Sequence, residues 1–551
     1  MKMPILQTRL LSSLAKVFSD EDLSAPAFEQ GSMLANEVYS FQIAYRISPE
    51  YREDSIECRL DVQAGEALAG NCLARRVIPI QSDLPCYEDH DEHVLRTEPG
   101  LYPDLLRPFK GHLTANRQWQ AVWITINHEK NVLPSGQHSI VLSFESEEHG
   151  RLAAETFSLC IYDCTLPEQS LIHTMWFHTD CIATLYDVQV FSEEHWQLID
   201  KYMKTAVEHG INMILTPIFT PPLDTQIGGE RPTVQLVDVF KNGNSYSFGF
   251  DRLKRWVDLC RKNGIKYLEF SHLFTQWGAK HAPKIIAIEY GAEKRIFGWE
   301  TDSTGPEYEH FLDEFLPALT AFIRENGLEQ SSWFHVSDEP SEEHITYYQN
   351  ASRILKKHLK GFPIMDALSS YSFYENGLVE KPIPASNHIE PFLENKVPDL
   401  WTYYCCGQYK KVSNRFFSMP SARNRILGIQ LYKFSIKGFL QWGYNFWYSH
   451  HSLYPIDPFM VTDGDKAFPS GDPFVVYPGE EGPLESLRLE VFYEGLQDLR
   501  ALIRLEEKIG REAVIKLLEE GLDRPISFSE YPRDDAWLLN KREEINKLLA
   551  Q

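Results

Sequence analysis

Two adjacent carboxylates, Asp338 and Glu339, follow the apolar run Trp-Phe-His-Val in WFHVSDEP, and Pro340 ends the segment. Neighbouring acids in apolar surroundings are costly unless they are paired or put to use. Like charges this close drive one pKa upward, leaving one protonated acid and one carboxylate near neutral pH. Cleavage of a glycosidic bond needs that split. One group protonates the departing oxygen while the other answers positive charge at the anomeric carbon. The pair also suits the start of the helix that EEHITYYQ begins, where acids favour the dipole and cap the first turn. Spacing alone leaves both readings open.

The rest of the chain must position that pair. At 551 residues it exceeds one ordinary hydrophobic core and calls for two or three domains. Apolar/polar alternation over 40–47, 57–63, 119–127, 138–146 and 155–163 predicts antiparallel strands, separated by turn-rich stretches such as NVLPSGQ. The expected N-terminal domain is a β-sandwich over 1–166. After Pro167, strand-like runs alternate with amphipathic helical runs, the grammar of βα units around a parallel sheet. Eight strands fall at 172–180, 211–219, 265–274, 331–340, 362–370, 383–389, 399–406 and 437–448. A hairpin is inserted near FKNGNSYSFGF, and a long loop follows the third strand. This count and size predict a (β/α)8 TIM-type barrel over 167–483. Residues 484–551 have helical periodicity and are expected to pack on the barrel without chemistry of their own. The expected fold class is multidomain β plus α/β.

In such a barrel the site lies at the C-terminal ends of the strands. Strand one then offers His178 and Asp180, strand three His272, strand four Asp338 and Glu339, and strand five Asp366 and Tyr371. Strand six offers Asn387, His388 and Glu390, strand seven Tyr403 and Tyr404, and strand eight Trp442, Asn445 and Trp447. Retaining glycosidases on this barrel often keep a nucleophilic Glu at the end of strand seven. Here DLWTYYCCGQYK supplies Tyr, Cys and Gln at that end, with Asp399 at the opposite one. Substrate-assisted catalysis removes the need, because the 2-acetamido carbonyl of an N-acetylhexosamine can attack its own anomeric carbon. An Asp beside the general acid would then orient the acetamido N–H. The rings of QWGYNFWYSHH suit stacking on a sugar's apolar face, while Trp401 and Phe446 read as core.

A formal net charge of −24 disfavours phosphate backbones and anionic lipid. The expected partner is an oligosaccharide or glycoconjugate, with no nucleic acid and no membrane. The N-terminal run MKMPILQTRLLSSLAKVFSDEDL is broken by Arg9 and polar residues, so neither a secretory signal nor a membrane span is expected. Nine cysteines without regular spacing form no disulfide framework, and Cys405 and Cys406 read as buried thiols. A cytoplasmic location is the expectation. No cofactor and no metal are expected: His450 and His451 lack a ligand set, EDHDEH at 88–93 reads as a solvated loop, and no glycine-rich nucleotide loop stands out.

Several segments, taken in order, resemble glycoside hydrolase family 123, the retaining β-N-acetylgalactosaminidases. They are LYPDLLRP at 101–108, WFHVSDEP, GFLQWGYNFW, GDPFVVYPG and ESLRLEVFYEGLQDL. The resemblance implies a β-sandwich plus barrel, an exo-acting hydrolase and an oxazolinium intermediate. It implies Glu339 as general acid/base and Asp338 as the residue that polarises the acetamido group. It carries sugar contacts onto Trp442, Asn445 and Tyr403, with Tyr371 and His388 beside them. Gly471-Asp472-Pro473 departs from the family's usual Gly-Asp-Gly. Two other functions stay open. One is a hydrolase of another sugar with a conventional carboxylate pair using Asp180, Asp366 or Glu390. The other is a glycan-binding protein on a disabled barrel.

Overall fold

The computed structural model describes residues 5–551, so the first four residues of the N-terminal run considered above lie outside it. The N-terminal region is built from two five-stranded sheets. The first runs, in spatial order, Leu6–Ser12, Tyr39–Ile47, Gln120–Ile126, Cys72–Ser82 and Gly100–Pro108, antiparallel throughout. The second runs Gln30–Leu34, Gly150–Tyr162, Gly136–Ser146, Ser55–Ala64 and His112–Asn116, with only its first pair parallel. Period-two alternation sorts the faces: Ile56, Cys58 and Leu60 are buried, while Glu57 and Arg59 face water. Phe41 and Phe157 stack between the sheets at 4.0 Å, in a core with Ile43, Val122, Ile124 and Phe144. Two strands escape the sequence pattern, Leu6–Ser12 and Gln30–Leu34. In the first, Leu10 and Leu11 are both buried after three half-buried polar residues, so no alternation marks it.

The C-terminal region carries eight short parallel strands with helices between them. Strands one to eight are Ile172–Met175, Met213–Thr216, Tyr267–Phe270, Ser332–Trp333, Met365–Ala367, Lys381–Ile383, Trp401–Tyr403 and Gly438–Gln441. Their hydrogen bonding falls into a six-stranded sheet, in the order four-three-two-one-eight-seven, and a separate five-six pair. Isolated parallel bridges, Phe334 to Ile364 and Ala385 to Tyr403, stand between the two sets. Met213, Leu215, Met365, Ile383, Ala385, Trp401 and Leu440 form one apolar cluster drawn from both sets. The expected hairpin is present as Asp238–Asn242 and Ser245–Gly249. The stretch expected as a long loop holds a second hairpin, Ile285–Glu289 with Ala292–Phe297, and the two hairpins join in one four-stranded sheet. Its turn, Tyr290-Gly291, has φ of 52° and 82°, the left-handed pair that a tight two-residue hairpin requires.

Strand four is much shorter than its sequence pattern. Regular pairing ends at Trp333, and the chain from His335 to Glu339 leaves the sheet before the helix Ile345–His358. Neither Asp338 nor Glu339 caps that helix; the residues preceding its turns are Ser341 and His344. The acidic stretch 88–93 is also not a plain solvated loop. Arg423, fully buried, grips both oxygens of Asp91 at 2.8 and 2.9 Å and ties this segment to the C-terminal region. The LYPDLLRP segment works in the same way. Asp104 accepts from Arg488 at 2.8 and 2.9 Å and from the Tyr477 hydroxyl at 2.5 Å, anchoring the first sheet to the long helix Leu487–Ile509.

Candidate active site

The segment that leaves strand four carries its two acids into a cavity of about 230 Å3. Trp176, Gln276, Trp277, Tyr403, Trp442 and Phe446 are among its walls. Asp338 is buried, 5% exposed, and its Oδ2 accepts from Gln276 Nε2 at 3.1 Å. Its backbone carbonyl accepts from Trp277 N at 3.0 Å. Burial raises its pKa well above the usual carboxylate range, and the neighbouring Glu339 charge adds to the effect. The expected upward push on one member of the pair is therefore present, with desolvation ahead of charge repulsion. Glu339 is half-buried and holds a left-handed backbone, φ 44°. Two contacts maintain it: its N–H donates to Ala367 O at 3.1 Å, and its Oε1 accepts from the Tyr403 hydroxyl at 2.7 Å. Burial, then the Glu339 charge, raises the Tyr403 pKa, so this phenol remains a donor.

Beneath the pair lies a fully buried network. His335 sits between Glu269, at 2.7 Å from Nε2, and Asp366, at 3.4 Å from Nδ1. Burial alone would lower the His335 pKa, but hydrogen bonds and charge from these two carboxylates raise it to about 10, so it is an imidazolium. Asp366 Oδ1 also accepts the backbone N–H of Val336 at 3.0 Å and of Ser337 at 3.2 Å, and its Oδ2 accepts the Tyr348 hydroxyl. Glu269 takes Thr174 Oγ1 at 2.5 Å and Trp176 Nε1 at 2.7 Å. One ionic cluster thus fixes both the backbone that delivers Asp338 and a ring of the pocket wall. His272 stacks on His335 at 4.1 Å and is held neutral by burial, not turned toward the cavity as a sugar contact.

The other residues drawn from sequence divide clearly. Tyr403 and Trp442 line the cavity. Trp442 Nε1 donates to Asp472 Oδ2 at 2.9 Å, and burial lifts the Asp472 pKa to about 7. The Gly-Asp-Pro segment therefore orients this ring. Its Gly471 has φ 99°, a conformation that favours glycine. Asn445 is spent on backbone: its side chain bonds His178 N at 2.9 Å and His178 O at 3.0 Å, and it does not reach the cavity. Tyr371 packs edge-on against Phe392 at 5.2 Å, and His388 is exposed beyond strand six; neither lines the cavity. Trp447 is core, donating to Val476 O. Phe446, read as core, is buried and also forms cavity wall.

Three acids held in reserve for a conventional pair are placed elsewhere. Asp180 is locked on Arg231 at 2.7 and 2.8 Å, Asp366 lies in the buried network, and Glu390 is exposed on the short helix Glu390–Glu394. Strand seven turns Tyr403, Cys405 and Cys406 toward the cavity and no carboxylate. Sequence reading missed Trp176, Asp224, Gln276 and Trp277. The last two lie in a loop beyond strand three, where a Gln-Trp-Gly run at the catalytic face was the available signal.

Two carboxylates that face aromatic walls and touch neutral donors have the chemistry of a glycoside hydrolase. Comparison with known proteins narrows the class: the model of the glycoside hydrolase 123 catalytic domain matches residues 176–505. The chain belongs to glycoside hydrolase family 123. A solved family 123 glycoside hydrolase from Clostridium perfringens superposes with a TM-score of 0.75 at 16% identity, over 99% of this chain and 98% of that one. A β-glucuronidase from Parabacteroides merdae matches at a TM-score of 0.32 and 11% identity, over 89% of this chain and 51% of that one. A family 5 mannosidase from Rhizomucor miehei matches at 0.36 and 13% identity, over 63% and 96%. No curated protein matches the chain.

Proposed function

We propose that the protein is an exo-acting, retaining β-N-acetylgalactosaminidase that uses its substrate's acetamido group as nucleophile. The observation that carries this reading is the composition of the cavity: the adjacent pair Asp338 and Glu339 is there, and strand seven contributes Tyr403 and Cys405 where a nucleophilic carboxylate would stand. Glu339 protonates the departing oxygen as the acetamido carbonyl oxygen attacks the anomeric carbon. Asp338 accepts the acetamido N–H and holds the carbonyl in line. Glu339 then takes a proton from water, which opens the oxazolinium ring with net retention. Before substrate arrives, burial favours the protonated form of Asp338. An N–H donated to it favours the carboxylate, so binding sets the state that the attack needs. Tyr403 steadies Glu339, and Trp442 offers its ring to the sugar.

The eight parallel strands are read as a (β/α)8 barrel closed by the bridges on either side of strands five and six. It spans 167–483, between a sandwich over 1–166 and a helical segment over 484–551. The Clostridium perfringens enzyme is described for glycolipid glycan hydrolysis; a glycan ending in a β-linked N-acetylhexosamine is the substrate class proposed here. All nine cysteines are free, which supports a reducing, cytoplasmic setting. Among the described residues no helix is long and apolar enough to cross a membrane.

A second reading has one observation in its favour. Asp224 lines the same cavity, with a pKa raised by burial to about 6, and could supply a conventional carboxylate. Aryl glycosides decide between the two. Substrate assistance requires turnover of the β-N-acetylgalactosaminide, strong inhibition by a thiazoline mimic of the intermediate, and negligible turnover of the glycoside lacking the acetamide. Comparable rates with and without the acetamide would defeat the mechanism, and comparable rates on the gluco epimer would defeat the assignment of the sugar.

A further inference from the structure

The loop after strand three does two things with consecutive residues. Gln276 reaches inward and donates to the carboxylate of Asp338, and Trp277 donates its backbone N–H to the carbonyl of the same residue. The Trp277 indole, however, faces outward. It borders the cavity and is 38% exposed, the most exposed tryptophan among the described residues. Tryptophan, with a large apolar face and one polar handle, is enriched where a surface meets a partner.

Its setting is expensive to build. Trp277 has φ 58° and Ala279 φ 57°, both left-handed, a strained conformation for a non-glycine residue. Between them Gly278 has φ 123°, and a Cβ there would stand 2.5 Å from the His344 ring. The loop is thus pressed against the turn that follows the catalytic pair. The facing loop after strand eight is strained too, with His451 at φ 60° and Ser452 at φ 53°. His451 meets the Trp277 ring edge-on at 5.6 Å, and its backbone N–H is held by Asp224 Oδ2 at 3.0 Å. The His450 ring lies 3.7 Å from that of His451, tilted by 35°, and lines the cavity. Loops from three strands therefore converge to display one indole with two imidazoles beside it, at a fixed offset from Asp338.

A cavity of about 230 Å3 is small next to the roughly 300–1,000 Å3 of pockets for drug-sized ligands, and suits one sugar ring. The remainder of a glycan must pass the rim. Resting on the hydrolase reading above, we propose that Trp277, backed by His451 and flanked by His450, is the subsite for the leaving-group sugar. The indole takes the apolar face of the pyranose to which the cleaved hexosamine is linked, and the imidazole nitrogens read its hydroxyls. Because the same loop holds Asp338, a well-seated leaving group and a well-placed acetamido-orienting carboxylate are one geometry.

The test compares two substrates with the same terminal sugar: a 2-acetamido β-glycosyl fluoride, which brings no second ring, and a β-linked oligosaccharide. Trp277→Ala should lower kcat/KM for the oligosaccharide by about 10–200-fold, the range for one lost apolar contact. The fall on the fluoride should be at least fivefold smaller. Trp277→Phe should recover most of the oligosaccharide rate, and His451→Ala should show the same bias at smaller size. Equal falls on both substrates, or a phenylalanine variant no better than alanine, would overturn the subsite. Wild-type protein that hydrolyses neither substrate would overturn the hydrolase reading, and the subsite with it.

Discussion

Two sets of buried carboxylates in this molecule have partners that differ in kind. Around the helix Leu487–Ile509, arginine faces acid: Asp104 with Arg488, Glu490 with Arg75, and Asp498 with Arg425 and Arg542. At Asp498 burial alone would raise the pKa, but the two guanidinium groups outweigh it and the pKa falls. In the cavity Asp338 and Glu339 touch Gln276 and Tyr403, and no salt bridge reaches either among the described residues. There burial wins and the Asp338 pKa rises. A paired acid has its charge answered permanently and serves as a fastener. An acid given only neutral donors, as Asp338 is, keeps a protonation state that a change in its surroundings can shift. Glu494 marks the boundary between the two classes. It has Arg425 and Ser13 for partners, yet burial still lifts it to about 7.

If the contrast is right, the two sets must fail in different ways. Glu339→Gln should lose about 10²–10⁴-fold in kcat on substrates with poor leaving groups, with little change in unfolding temperature. Asp338→Asn should be comparably impaired, and near-normal turnover by either variant would break the assignment. Arg488→Ala should do the reverse. It strands Asp104 in the interior and should destabilise the protein by about 3–5 kcal/mol, read by denaturant unfolding. Retained stability in that variant would show that the pair is not a fastener. His335→Gln lies between the two sets. It leaves Glu269 and Asp366 facing each other without their cation, so stability and kcat should fall together.

The acid pair was legible in sequence because its signal is local: two carboxylates ending an apolar run. The absence of a strand-seven carboxylate was legible for the same reason. The fasteners were not, because Asp104 and Arg488 are brought together only by the fold, and each alone reads as a surface charge. Asn445 misled because a polar residue at a strand end reads equally as a sugar contact or as a backbone brace. The hairpin Ile285–Glu289 with Ala292–Phe297 was hidden by its exposure, since a strand wet on one face with a Tyr-Gly turn resembles a loop. Trp277 was missed because the reading stopped at the strand end, whereas the loop beyond it carries the ring.

The smallest expected effect separates the two classes most cleanly, because it is a difference of sign. On folding, Asp338 holds a proton that an ordinary aspartate would give up. Its contribution to stability is complete below the ordinary value of 3.8 and is lost as pH rises toward the higher folded value. Asparagine carries no charge to bury, so Asp338→Asn should raise the unfolding temperature, and more at pH 8 than at pH 5. Asp498 runs the other way. Its folded pKa is depressed, so its contribution is present above 3.8 and is lost as pH falls through the folded value. Asp498→Asn should therefore destabilise the protein at pH 7, with a deficit that shrinks in acid. Thermal unfolding of Asp338→Asn across pH 4–8, and of Asp498→Asn from pH 5 down into the acid range below 3.8, reads the two slopes. Slopes of the same sign would mean that the cavity acid is a fastener too, and that its neutral donors are not what frees it for chemistry.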